Sequence, residues 1–183
     1  DRIYTSSTGV YAQDAGEWVD EASETRPTKF SGTILLEGEA AVRDCGLEAT
    51  VVRFGGIYGP GRTRLIDQVR CGAAYSLAGR TQYLNLIHRD DCAGVLRHLM
   101  LLDAPAPVYC GVDTEPLERG ELLGWLADPL GVPHPLAVNA EGHPDPQRGG
   151  NRRVSSARLR ASGYTFRYPT AREGYGAMID AGL

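Results

Sequence analysis

Ser7 and Tyr11 stand four residues apart just past the opening Arg2-Ile3-Tyr4-Thr5, and both carry side chains that could do chemistry. A serine hydroxyl at the end of a strand suits a hydrogen bond to a substrate carbonyl; the same residue is equally a turn or cap former. A tyrosine four positions on could supply a proton or simply pack. A free phenol, with a pKa of about 10, is a poor base at neutral pH and needs a neighbour to tune it. No lysine can do so here: Lys29 is the only lysine, against 18 arginines, and Thr25 stands four residues before it, so the chain holds no Y-x-x-x-K pair. Arg62, Arg64, Arg152 and Arg153 could grip a diphosphate, because guanidinium pairs bidentately with phosphate, or could be ordinary surface residues of an arginine-biased chain. His88 and Asp91 invite an acid–base reading. Their structural alternative is an N-cap at Asp90 or Asp91, worth about 1 kcal/mol, beside a packed strand histidine. Trp18 could stack on a ligand. Cys45, Cys71, Cys92 and Cys110 are 26, 21 and 18 residues apart, without the close pairs a zinc site needs, and read as buried free thiols.

These residues must be positioned by alternating strands and helices. Residues 2–5 begin as a strand running into Ser6-Ser7, and 12–30 are polar and turn-rich. From Ser31 to Cys45 apolar residues recur at helical spacing, with Glu37, Glu39, Arg43 and Asp44 largely on the other face, and Gly46 closes the helix. The β-branched run 49–54 reads as a buried strand stopped by Gly55-Gly56. A short helix at 64–71, a strand at 84–88, a helix to Leu102, a strand at 108–112 and a helix at 119–130 follow. Residues 131–150 read as a loop, and 155–161 and 170–179 as two last helices. Helix followed by buried strand predicts a parallel sheet in an α/β fold.

The chain has 183 residues, 42% hydrophobic and 23% charged, enough to bury roughly 70% of its surface in one globular unit. A formal net charge of −4 gives no basic footprint for nucleic acid or an anionic membrane, so small molecules or proteins are the expected partners. No apolar run approaches the ~20 residues that span a bilayer, and no basic region followed by an apolar stretch opens the sequence, which makes a cytoplasmic location the default expectation.

Three phrases in order, Y-T-S-S-T-G-V-Y at 4–11, R-F-G-G-I-Y-G-P-G at 53–61 and N-L-I-H-R-D-D-C-A at 85–93, resemble the extended short-chain dehydrogenase/reductase family, its NAD-dependent epimerase/dehydratase group. Residues 151–155 and 168–174 are similar to that family's closing segment. The resemblance implies the C-terminal part of a Rossmann-type parallel sheet plus a small substrate-binding subdomain, with the N-terminal strands and their G-x-x-G-x-x-G phosphate loop absent. It divides the chain at 62/63, with residues 84–88 and 108–112 returning to the sheet. It implies NAD or NADP as cofactor, with Ser6, Phe54, Gly55, Gly56 and Ile57 beside it and Ser7 as the catalytic serine. Arg62, Arg64, Asn85 and Arg152 become the candidate substrate contacts. Aligning the helix through Glu39 puts Ser31 at the family's tyrosine position and Leu35 at its lysine position, with Ser31 24 residues after Ser7.

A serine there is too weak an acid without a separate base, and losing general acid–base help typically costs ~10²–10⁴ in rate. The pattern is similar to an atypical subgroup that keeps the fold and loses the Tyr/Lys pair. Three expectations follow: an epimerase/dehydratase-like oxidoreductase acting on a nucleotide sugar or small carbonyl compound, with Tyr11 or water handling the proton; a non-catalytic NAD(P) sensor or scaffold; or an inactive truncated piece whose Ile3-Tyr4 edge would seek another strand. The family's helix bundles make a homodimer through residues 31–45 a further expectation.

Overall fold

A computed structural model describes residues 2–46, 48–141, 143 and 150–183. In chain order it runs β1 (Arg2–Ser7), β2 (Trp18–Val19), α1 (Phe30–Asp44), β3 (Ala49–Phe54), β4 (Gly56–Tyr58), α2 (Arg64–Arg70), β5 (Tyr75–Leu77), β6 (Tyr83–Leu84) and β7 (Leu86–His88). It continues with α3 (Arg89–Met100), β8 (Val108–Gly111), β9 (Leu117–Glu118), α4 (Arg119–Leu130), β10 (Leu136–Val138), β11 (Arg153–Val154), α5 (Ala157–Ala161) and α6 (Ala171–Asp180).

The central layer is a parallel sheet in the order β1-β3-β8, with Ser7 opposite Phe54 and Phe54 opposite Gly111. Because side chains alternate along a strand, Arg53 and Cys110 face one side and Val52, Phe54 and Tyr109 the other. The first side is covered by α1, whose Leu35 and Leu36 pack on Val10, Tyr11, Cys110 and Val112. On the second side Val52 and Phe54 meet Val95 and Leu99 of α3 and Leu159 of α5. Helices on both faces make this the α/β arrangement expected, and β3, buried along five of its six residues, is its middle strand. By contrast β1 is only partly buried and, among the described residues, pairs with a strand on one side alone.

A second core lies beyond Tyr58, where Ile66 and Val69 of α2, Leu122, Leu123 and Leu126 of α4 and Tyr175 and Met178 of α6 pack together. Trp125 is partly buried against it. The glycine pair after Phe54 does not end β structure. Gly55 alone interrupts it, and β4 then pairs in parallel with β7. Of the two strands expected to return to the main sheet, residues 108–111 do so; residues 86–88 pair with β4 instead. The stretches 12–30 and 131–150 each contribute a short parallel strand, β2 to β11 and β10 to β5.

The predicted helices stand within two residues, and Gly46, at φ 71°, follows α1 in the left-handed region that favours glycine. The start of α3 differs in its cap. His88 Nδ1, not an aspartate, accepts the Asp90 N–H at 3.2 Å. Asp91 is instead buried and accepts from the backbone N–H groups of Arg167 and Tyr168 and from the Tyr164 hydroxyl. All four cysteines are free, but only Cys110 is fully buried; Cys45 and Cys71 sit at helix C-termini, where the chain turns out to solvent.

Candidate functional site

Ser7, Phe54 and Gly111 lie side by side at the carboxyl ends of the three parallel strands, the edge where open α/β sheets place their ligands. Ser7 caps a short 3₁₀ turn, Thr8–Val10, by accepting the Gly9 N–H at 3.1 Å. That bond uses a lone pair and leaves the hydroxyl proton available to donate to a carbonyl oxygen. Ser31 is exposed in the first turn of α1, and the next residue, Gly32, packs on the Gly9 carbonyl, so Ser31 flanks the turn that Ser7 begins. Leu35 turns into the core on that side.

Ser6 points the other way, as strand alternation demands, and donates to Glu39 Oε1 at 2.6 Å. Glu39 is fully buried, not on the solvent face of α1 as its charged neighbours led us to expect. Its partner is Arg53 of β3, which donates to both carboxylate oxygens at 3.0 and 2.7 Å. Arg53 also donates to the Tyr11 hydroxyl at 2.9 Å, and that hydroxyl donates to the Asp20 carbonyl at 2.8 Å and touches Cys110 Sγ. Burial alone would raise the Glu39 carboxyl, and the hydrogen bonds from Arg53 and Ser6 outweigh it and hold it below the ordinary range. Burial, followed by Cys110, pushes Tyr11 far above the ordinary phenol. The structure therefore seats Tyr11 and Ser6 inside a closed network beneath the sheet and away from the surface that Ser7 faces. Burial likewise raises the Cys110 thiol to about 12.

Phe54 is buried, its ring lying against Gly111. Gly55 has no room for a side chain: a Cβ there would stand 2.5 Å from the Asn85 carbonyl oxygen. This close approach lets Gly55 N–H reach the Gly111 carbonyl and Gly56 N–H the Asn85 carbonyl, so the chain can leave one sheet and enter the next. Gly56 is exposed and Ile57 half-buried, and both line a groove of about 250 Å³ together with Arg62 and Arg64. Its floor is the stacked pair Tyr58 and Tyr175, and Arg119, on which no expectation fell, lines it as well.

Asn85 and Arg152 are held by the protein itself. Asn85 donates to the Arg152 carbonyl and accepts from Val154 N–H, fixing β11. The Arg152 guanidinium is buried and donates to the carbonyls of Thr8 and Gln13, which ties down the turn that follows Ser7. Burial lowers its pKa. Trp18 is 55% exposed, with the Arg153 guanidinium over its ring.

Behind the groove floor lies a second polar cluster. The Tyr58 ring meets the His88 ring edge-on, and Tyr58 Oη and Asp113 Oδ2 are both buried with no partner among the described residues. Burial, before any other cause, pushes the Asp113 carboxyl up to about 8 and pulls His88 below its ordinary range. Among the described residues no group of histidine, cysteine and carboxylate side chains could hold a metal ion, and no helix is long and apolar enough to cross a membrane.

No family profile matches the chain. The curated "Protein YeeZ" of Escherichia coli (strain K12) is 34% identical over 104 residues, 56% of this chain and 35% of that protein. A solved putative NAD-dependent epimerase/dehydratase from Methylobacillus flagellatus is 39% identical, with a TM-score of 0.83 over 98% of this chain and 63% of its own. A functionally unknown conserved protein from Silicibacter pomeroyi is 30% identical, with a TM-score of 0.87 over 98% of this chain and 66% of its own. The chain thus spans less than two thirds of these solved relatives, and its match to the curated one spans about a third. Likeness at the level of fold alone extends to the human epimerase family protein SDR39U1 with NADPH, at 21% identity and a TM-score of 0.83 over 97% of this chain and 63% of that one. It extends also to MoeE5 in complex with UDP-glucuronic acid and NAD, at 20% identity and a TM-score of 0.79 over 99% of this chain and 65% of that one.

Proposed function

We propose, from the premise that this chain is of the atypical short-chain dehydrogenase/reductase type, similar to NAD-dependent epimerase/dehydratases, that it belongs to an NAD(P)-dependent oxidoreductase of carbonyl or nucleotide-sugar compounds, in which it holds the substrate. The observation that supports this reading is a sequence of neighbours: Ser7 stands opposite Phe54 at the carboxyl edge of the sheet, and Gly56 and Ile57, just past Phe54 in the chain, line a groove together with Arg62 and Arg64.

The residues present fit the nicotinamide end of the cofactor and not its pyrophosphate. Exposed Gly56 and half-buried Ile57 offer backbone and an apolar edge to a flat ring. No G-x-x-G-x-x-G occurs to cradle phosphates. Phe54, buried over Gly111, supports Gly55 from beneath. The bound nicotinamide supplies hydride chemistry. Ser7 orients the substrate carbonyl by a hydrogen bond from its hydroxyl, water supplies the proton that balances the hydride, and Arg62 and Arg64 hold negative charge on the substrate. Arg152 keeps the Thr8–Val10 turn in place beneath Ser7.

In the full-length protein, Ser7→Ala should lower kcat about 10²-fold with NAD(P)H affinity unchanged, since one hydrogen bond to the reacting oxygen is lost. Stopped-flow NADPH fluorescence with a panel of carbonyl compounds reads both quantities, and an unaltered kcat would remove Ser7 from the chemistry.

A second reading, a non-catalytic NAD(P) sensor or scaffold, draws on a specific observation. Tyr11 is locked in the network, Leu35 faces the core, and Ser31 has no neighbouring lysine, so none of these residues is a tuned proton donor for Ser7. Cofactor binding without oxidation across the same panel favours that reading.

A further inference from the structure

We infer that the groove beside β4 takes a compact anionic carbonyl compound, bearing a phosphate or carboxylate, and not a complete nucleotide sugar. The inference rests on the reading of that groove as the substrate site and narrows it. Its charge is the first argument. Three arginines and no carboxylate line the groove, in a chain whose formal net charge is −4. Arg62 and Arg64 are exposed and have no ion-pair partner among the described residues, whereas Arg70, Arg89 and Arg172 each sit beside an aspartate or glutamate. Arg119 is buried beside the floor and donates to the Tyr75 carbonyl. The two exposed guanidinium groups of Arg62 and Arg64 suit the oxygens of a single phosphate or carboxylate.

Size and surface are the second argument. A volume of about 250 Å³ lies below the usual range of about 300–1,000 Å³ for pockets that hold drug-sized ligands. A nucleotide sugar, with its base, ribose, diphosphate and hexose, would extend beyond it. The rings that could stack on a nucleobase are also occupied: Tyr58 and Tyr175 are each 2% exposed and stacked on one another at 4.2 Å. What remains is an apolar wall of Ile57, Leu65, Leu84 and Leu86 with Gln68 as a neutral polar contact, which suits a short carbon chain carrying one anionic end.

Calorimetric titration of the full-length protein with glycerol 3-phosphate, malonate and UDP-glucose, each with and without NADPH, tests this. The expected result is binding of glycerol 3-phosphate or malonate at least tenfold tighter than UDP-glucose, weakened at least tenfold by the double substitution Arg62→Gln/Arg64→Gln. The two small probes tell a phosphate site from a carboxylate site. UDP-glucose binding as tightly as the small anions, and weakened by the same double substitution, overturns the size argument and leaves the substrate site standing. Binding of none of the three, or binding indifferent to both arginines, while NADPH still binds, overturns the site itself. Both arginines are exposed, so the double variant should fold, and its thermal unfolding midpoint checks that it has.

Discussion

Two buried polar clusters, one on the α1 side of the sheet and one behind the groove, handle charge in opposite ways. On the α1 side Glu39 is fully buried and Arg53 nearly so, yet each charge meets its opposite and Ser6 and Tyr11 fill remaining bonds. Behind the groove, among the described residues, Asp113 forms no ion pair, and its Oδ2 and the Tyr58 hydroxyl have no hydrogen-bond partner. The first arrangement clamps a helix to a strand. The second leaves polar groups under tension next to the place where a ligand is proposed to bind, as functional regions commonly do.

The largest test of this contrast is Glu39→Ala. It strands a buried guanidinium and should cost about 3–5 kcal/mol of unfolding free energy in urea titrations, whereas replacing both Glu39 and Arg53 with apolar residues of similar volume should cost far less. A loss below about 1 kcal/mol for the single change would mean that water reaches Arg53 and the clamp is not closed.

Asp113→Asn should act in the opposite direction, with a pH signature. The folded-state pKa of about 8 lies above the ordinary 3.8, so the folded protein keeps a proton that the unfolded chain releases. The stability from this group is full below 3.8 and is lost as pH rises through about 8. Asparagine does not titrate, so the variant should match the parent in acid and exceed it by on the order of 1–3 kcal/mol in alkaline buffer. Urea titrations on either side of neutrality measure this, and an equal loss at both would show that the carboxyl has a partner. The Glu39 carboxyl, held low, contributes in the reverse sense: its stabilisation is present above the ordinary carboxylate range and fades on acidification.

The smallest effect sharpens the comparison most. Tyr11→Phe takes a hydroxyl from Arg53 and the Asp20 carbonyl and should cost about 1–2 kcal/mol. Tyr58→Phe removes an unpartnered hydroxyl and should be neutral or slightly stabilising. Thermal unfolding of the pair, measured together, decides whether the two clusters differ as described; equal losses would erase the distinction.

Much of the architecture was legible in local pattern. The β-branched run 49–54, the amphipathic spacing of 31–45 and the glycine after it each have a short-range cause, and each stands where expected. The site was legible only in part. Ser7 stands at the carboxyl end of its strand and Gly56, Ile57, Arg62 and Arg64 line one groove, while the side chains of Ser6, Tyr11, Asn85 and Arg152 bond to other parts of the protein. Glu39 escaped because it sits among Glu37, Arg43 and Asp44, which read as a solvated face. One signal did exist: Arg53 sits between Val52 and Phe54 in a buried strand, and a buried guanidinium demands a carboxylate from some neighbouring element. Nothing local marked Asp113 or Arg119, whose environments are built by segments far away in the chain.

The amino-acid order alone determined the alternation of strands and helices, the lack of a Tyr/Lys pair and the resemblance that carried the family reading, because propensity, periodicity and motif spacing act over a few residues. Only the packed chain decided which charges go inside, which of two neighbouring serines bonds to Glu39, and that β7 joins β4 and not the central sheet. Those outcomes depend on desolvation and on pairings between distant segments, and neither exists until the chain has closed upon itself.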